Sequence, residues 1–260
     1  MIFDSHIHID TAESSNEISD FKQIIKEKKL GVLVNAENEV EYNALAGIED
    51  ANISFGIHPW KSDKFCCKSQ YEKEVVSPNI EIMKRVESLR EYYIKADAVG
   101  EIGMDSVWCQ CDLDLQKHLF ISQLDIAKEL NKPVVLHIKG KEKEASDILR
   151  KYPMNKLVHW YSCEEHLDEL IKQDCYFTVG PNFSTSKAVR NVMERVPLER
   201  LLVETDGISA VEWAIAKKIQ ARDIVEFLKG TLIEIATVKN VSYTIVEQKV
   251  EDNFYRFMDK

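Results

Sequence analysis

The sequence predicts one α/β domain over residues 1–260, a (β/α)8 TIM barrel with extra helices at its C-terminal end. Three observations predict it. Short apolar runs alternate with amphipathic stretches of helical period, the pattern of parallel strands joined by crossovers. The runs number eight, and the chain has 260 residues, a length at which such a barrel forms one unit.

The elements follow in order. The first strand is expected over 2–9, where Phe3, Ile7 and Ile9 alternate with Asp4, His6 and His8 and the pattern runs on to Asp10. A strand alternates its faces with a period of two, so the four ionisable residues share one side. A helical pattern at 18–29 leads to a strand at 32–36, and one at 39–50 to a strand at 53–58 that ends in GIHPW. Helix 80–93 precedes strand 98–102 in AVGEIGMD, and helix 113–130 precedes strand 133–138 in PVVLHIK. Helix 143–151 precedes strand 157–160 in LVHWYS, and helix 164–173 precedes strand 176–179. Helix 187–195 leads to the eighth strand, 201–205, in LLVETDG. Beyond it the chain reads as helical over 211–228, 232–238 and 245–258. No Pro/Gly/Ser-rich linker, repeat or low-complexity tract divides the sequence.

Composition narrows the function. With 34 Lys and Arg against 44 Asp and Glu, the formal charge is −10. That argues against a broad electrostatic footprint on nucleic acid, which needs basic residues against phosphates. It leaves room for an enzyme whose cations meet a phosphate locally. The six cysteines, Cys66, Cys67, Cys109, Cys111, Cys163 and Cys175, lack the paired C-x-x-C spacing of a zinc module and read as reduced thiols. There is no secretory leader pattern and no apolar run of the roughly 18 residues that a membrane span needs, so a cytoplasmic location is expected. Runs such as EKEVV read as solvated faces.

In a barrel of this kind the chemistry gathers at the C-terminal ends of the strands. His6 and His8, His58, Glu101 and Asp105, His137, His159, and Glu204 and Asp206 all fall at such ends, including five of the seven histidines. One strand-end histidine is ordinarily a satisfied core residue, and one strand-end carboxylate is ordinarily a helix cap. The joint pattern is much less ordinary. Burying imidazoles and carboxylates together is costly unless they pair or hold cations. Mixed ligands of this type suit divalent metals from magnesium and manganese to zinc. One acidic residue shared by two ions about 3.5–4 Å apart would make a two-metal site that activates water and steadies attacking and leaving oxygens. No serine or cysteine nucleophile motif competes with direct attack by water.

DSHIHID, GIHPW, GEIGMD, the Gln116–Phe120–Gln123 run, NKPVVLH, VHWYS and LLVETD occur in that order and resemble the motif set of TatD-family metal-dependent hydrolases, a branch of the amidohydrolase-like barrels. The resemblance extends to about residue 207, and VEDNFYRFM resembles the family's last helix. It implies two divalent ions per chain, magnesium or manganese with zinc as the other choice. His6 and His8 would hold the first, Glu101 would bridge both, and His137 and His159 would hold the second. Asp206 would complete the first site and orient or deprotonate the attacking water. His58 would contact the scissile phosphate or its water, making Asp206, Glu101 and His58 the catalytic set. The implied activity is phosphodiester hydrolysis by a DNase, of the 3′-exonuclease type, on single-stranded DNA. Asp4 and Asp10 would orient the imidazoles, since a ligating histidine usually donates its other N–H to a carboxylate or carbonyl. Lys139 and Trp160 are candidate substrate contacts, with Trp60 and Tyr161 as further aromatics that either stack on bases or pack beneath loops.

The chain departs from the pattern in three places. His137-Ile138-Lys139 stands where the family shows His-x-Arg, and Cys163 stands for a glycine. The segment after Gly207 lacks the Arg-Gly-x-x-Asn-x-Pro loop that borders the substrate cleft in relatives. VHWYSC with YFTVGPNF resembles a TatD-like subgroup found with anti-phage defence operons. Two alternatives therefore stand beside the nuclease. One is a hydrolase of a small ester, lactone or amide, although such relatives often carry a modified lysine at the bridge, where this chain has Glu101. The other is a TatD-like subunit that works within a larger complex.

Overall fold

The structure, a computed structural model, describes residues 1–27, 29–66 and 78–259. Cys67 and the EKEVV run lie outside them, as does the side chain of Cys66. Eight parallel strands pair in sequence order: β1 (Ile2–Ile7), β2 (Leu30–Ala36), β3 (Asn52–Phe55), β4 (Ala98–Asp105), β5 (Val134–Lys139), β6 (Lys156–Val158), β7 (Tyr176–Val179) and β8 (Leu201–Val203). Helices lie between them: α1 (Glu17–Lys26), α2 (Glu39–Leu45), α3 (Ser62–Cys66), α4 (Pro78–Ser88), α5 (Arg90–Lys95), α6 (Leu113–Glu129), α7 (Glu142–Leu149), α8 (Leu167–Ile171) and α9 (Lys187–Arg195). Three more close the chain: α10 (Ile208–Ile215), α11 (Ile224–Lys239) and α12 (Tyr243–Phe257). This is the (β/α)8 barrel that the alternation predicts.

Strand residues are buried on both faces, as a sheet covered by crossover helices requires. Helix starts follow local chemistry. The side chains of Asn38, Asp112, Ser186 and Ser242 accept from backbone N–H groups at the beginnings of α2, α6, α9 and α12. The C-terminal expectation changes in detail. The helix read over 211–228 breaks at Ala216, which is left-handed with φ 52°. A new helix starts past the Gln220/Asp223 capping box and runs through Gly230 to Lys239.

Two buried glutamines tie helix to sheet. They sit seven residues apart on the inner face of α6. Gln116 accepts from the Asp105 N–H at 2.7 Å and donates to the Asp105 and Cys111 carbonyls. Gln123 accepts from the Ile57 N–H at 2.7 Å and from the Tyr93 hydroxyl, and it donates to the Ile57 carbonyl. One fixes the end of β4, the other the loop that carries His58.

The barrel closes between β8 and β1. The Asp206 N–H donates to the His6 carbonyl at 3.1 Å. Thr205 donates its N–H to Asp4 Oδ1 at 3.0 Å and its hydroxyl to Asp4 Oδ2. Burial pushes the Asp4 carboxyl up to about 8, against the hydrogen bonds from Thr205. Asp4→Ala strips both partners from a buried Thr205. It is expected to lower stability by about 1–3 kcal/mol, read as an earlier urea midpoint with an unchanged slope.

Candidate metal centre

The two ladders that carry His6 and Glu101, two of the candidate ligands, are irregular where those residues sit. The β1–β2 register shifts between Asp4 and Ile7, around His6, and the β4–β5 register shifts between Val99 and Ile102, around Glu101. Such bulges re-aim side chains. At Gly103, φ is 152° and an added Cβ would overlap the His137 backbone, so only glycine lets β4 approach β5 here.

Glu101 is buried at the centre, and its two oxygens face different groups. Oε2 lies 3.1 Å from His8 Nε2 and 3.6 Å from His6 Nε2. Oε1 lies 2.8 Å from both His137 Nδ1 and His159 Nε2, and 3.6 Å from His58 Nε2. Asp206 Oδ1 stands on the first side, 3.1 Å from His6 Nε2 and 3.7 Å from His8 Nε2. All seven residues expected in the catalytic and metal sets thus converge. Burial alone would push Glu101 up. The imidazoles of His159, His58 and His6, with the bond to His137, outweigh it and hold the carboxyl well below its usual range. Asp206 is likewise brought down to about 2 by His6, His159 and His8 against its burial. Desolvation favours neutral His8, but Glu101 and Asp206 raise it to about 10.

The donor set fits divalent cations. Four imidazole nitrogens, from His6, His8, His137 and His159, and two ionised carboxylates point at a common space, with His58 beside them. The buried His6 Nε2 is close to Asp206 yet has no well-directed hydrogen bond. Buried polar atoms are ordinarily satisfied, so an orphan among carboxylates marks a place for a cation.

Supporting residues differ from the expectation in several places. Asp4 and Asp10 touch neither imidazole. Asp4 is spent on the β8 seam, and β1 ends at Ile7, so exposed Asp10 belongs to the next loop, where it accepts from the Ala12 N–H. Instead, Asn35 on β2 meets His6 Nδ1 at 3.0 Å, and Asp105 meets His137 Nε2 at 2.8 Å. Asp105 also accepts from Trp60 Nε1 at 2.6 Å and from the Val107 and Trp108 N–H groups. Asn35 gives no signal in the sequence, because a lone amide inside an apolar strand has many explanations. Glu204 lies 3.6 Å from His159 Nδ1, and burial pushes it up to about 8. Asp105→Asn should free the His137 ring and weaken metal affinity about 10- to 100-fold, measurable by competition with a fluorescent chelator.

The expected substrate contacts divide. Lys139 is mostly buried, its ammonium donates to the Trp160 carbonyl, and burial lowers its pKa. With Trp60 and Trp160 it lines a cavity of about 240 Å³ beside His137, His159 and Asp206. Tyr161 is fully buried and packs on Phe177, the structural alternative. Cys109, Cys111, Cys163 and Cys175 are free thiols. Among the described residues no helix is long and apolar enough to cross a membrane.

The family model described as TatD related DNase matches residues 3–259. An uncharacterized metal-dependent hydrolase of Bacillus subtilis, YabD, is 22% identical over 264 residues, with 98% of each chain covered. The human 3'-5' RNA nuclease TATDN2 is 26% identical over 212 residues, which span 78% of this chain and 26% of that protein. Among solved structures, YJJV, a TatD homologue from Escherichia coli, superposes with a TM-score of 0.77 at 21% identity, covering 100% of this chain and 98% of that one. With its barrel, its cluster of imidazoles and carboxylates and a match along nearly its whole length, the chain belongs to the TatD-related DNase family of metal-dependent hydrolases.

Proposed function

We propose that the protein hydrolyses phosphodiester bonds in nucleic acid with two divalent ions, magnesium or manganese, acting from the 3′ end of single-stranded DNA. The observation that carries this reading is the position of Glu101, one carboxylate with His6, His8 and Asp206 on one side and His58, His137 and His159 on the other. His6, His8 and Asp206 would hold one ion, His137 and His159 the second, and Glu101 both. When bound, the ions would supply Lewis acidity toward phosphoryl oxygens and lower the pKa of water.

The chain's own residues supply the rest. His58 Nδ1 accepts the Trp60 N–H at 3.2 Å, so in the neutral ring the proton sits on Nε2, which faces the cluster. That makes His58 a donor to a non-bridging phosphate oxygen rather than a ligand. Asp206, ionised and lining the cavity, would take the proton of the attacking water. Every proposed ligand is present, which favours an enzyme over a binding subunit. The human relative's RNA nuclease activity makes RNA the substrate to test beside DNA.

Dialysis against a chelator should abolish cleavage of 3′-labelled single-stranded DNA, and manganese should restore it. Cleavage of neither DNA nor RNA by the manganese-loaded protein would refute the proposal.

A further inference from the structure

The chain has four tryptophans, and Trp60, Trp108, Trp160 and Trp213 all line the cavity of about 240 Å³ beside the candidate metal centre. They come from four separate segments: after β3, after β4, after β6 and within α10. Trp108 and Trp213 are 66% and 65% exposed, and with Trp60 and Trp160 they make one contiguous aromatic surface, the kind that marks a binding site.

Trp160 is the fixed wall. It holds a left-handed backbone, φ 36°, which is strained for a bulky residue. Each of its polar atoms is engaged. Its N–H donates to Thr178 Oγ1 at 2.9 Å, its Nε1 donates to Asn182 Oδ1 at 2.8 Å, and its carbonyl accepts from Lys139. Its ring lies where a side chain at residue 180 would overlap it, so Gly180 makes the room. Trp213 meets it edge-on, with centroids 6.0 Å apart. The α10 helix that brings Trp213 here occupies the segment after Gly207, where the sequence lacks the expected cleft loop.

Apart from the cluster residues, the cavity offers mainly ring faces, with Lys139, Ser162 and Asn182 as its other polar side chains. The Nε1 atoms of Trp60 and Trp160 and the Oδ1 of Asn182 are already paired. Its volume is below the roughly 300–1,000 Å³ of drug-sized pockets, room for one ring system and not for a length of strand. Its wall includes His137, His159 and Asp206, so a ring in it sits next to the reacting phosphate.

We infer that this cavity takes the base of a nucleotide flanking the scissile phosphate, stacked on Trp108, Trp160 and Trp213 without reading its edge. The inference rests on the nucleolytic reading, and its test separates the two. The first arm follows tryptophan fluorescence, which reports only on this cavity. Titration with dAMP should quench it saturably, and 2-deoxyribose 5-phosphate should not. The second arm uses manganese-loaded protein and dinucleotides with one scissile linkage, bearing either two bases or an abasic residue 5′ or 3′ of it. One abasic position should raise KM roughly 5- to 100-fold with kcat little changed. Trp108→Ala and Trp213→Ala should each raise KM for the base-bearing substrate and narrow the difference from the abasic one, with phenylalanine restoring part of it. Equal quenching by dAMP and the sugar phosphate, or equal KM for base-bearing and abasic substrates, would overturn the inference and leave phosphodiester cleavage standing. Retained dAMP quenching without any cleavage would overturn the nuclease and keep the base cavity. Alanine variants that bind dAMP as wild type, but lose a co-purifying protein, would overturn it in favour of a protein interface.

Discussion

Glu101→Gln is expected to lower phosphodiester cleavage at least about 10²- to 10³-fold while the protein stays folded. The amide keeps the volume and loses the charge, and one of its two ends is a nitrogen that cannot ligate a cation. Because Oε1 and Oε2 serve different groups of histidines, either amide orientation sacrifices one side of the centre. Metal content measured on the purified variant should fall with activity, whereas circular dichroism should not change. A variant within about threefold of wild type in rate, with full metal content, would remove Glu101 from the centre.

Asp206→Asn is expected to cost about 10²- to 10⁴-fold in kcat, the range of a positioned proton acceptor. The substitution is clean because asparagine tolerates the left-handed backbone, φ 58°, that Asp206 occupies. The N–H bond to the His6 carbonyl should therefore survive. Loss of the anion removes the proton acceptor and one proposed ligand of the first ion, so metal content is measured beside the rate. Single-turnover rates separate this from slow product release, and an unchanged single-turnover rate would exclude Asp206 from the proton transfer.

The barrel was legible because its strands are apolar on both faces and its helices on one, so period alone separates them. Boundaries moved where the signal is local geometry. Alternation carried β1 on to residue 9, but the chain leaves the sheet after Ile7. Nothing in the periodicity of 211–228 marks the left-handed Ala216 that splits the helix. The seven central residues were legible because each falls at the C-terminal end of an expected strand. Their supports were not, because support depends on which atom points where. Asp4 looks like a partner for a neighbouring imidazole and is one for Thr205, two hundred residues away in sequence. The cavity needed the structure too, since Trp108 and Trp213 lie outside every motif.

The seam between β8 and β1 also bears on the order in which the protein can assemble. His6 and His8 are made early, and Asn35 on β2 follows soon after, but the bonds that tie this end of β1 to the last strand come from Thr205 and Asp206. Contacts so distant in sequence close large loops and form slowly. On the ribosome, the first two candidate ligands therefore emerge long before the last, and the centre stays incomplete until the eighth strand docks. Metal capture should then be among the final events of folding, so that an ion held there reports a finished barrel.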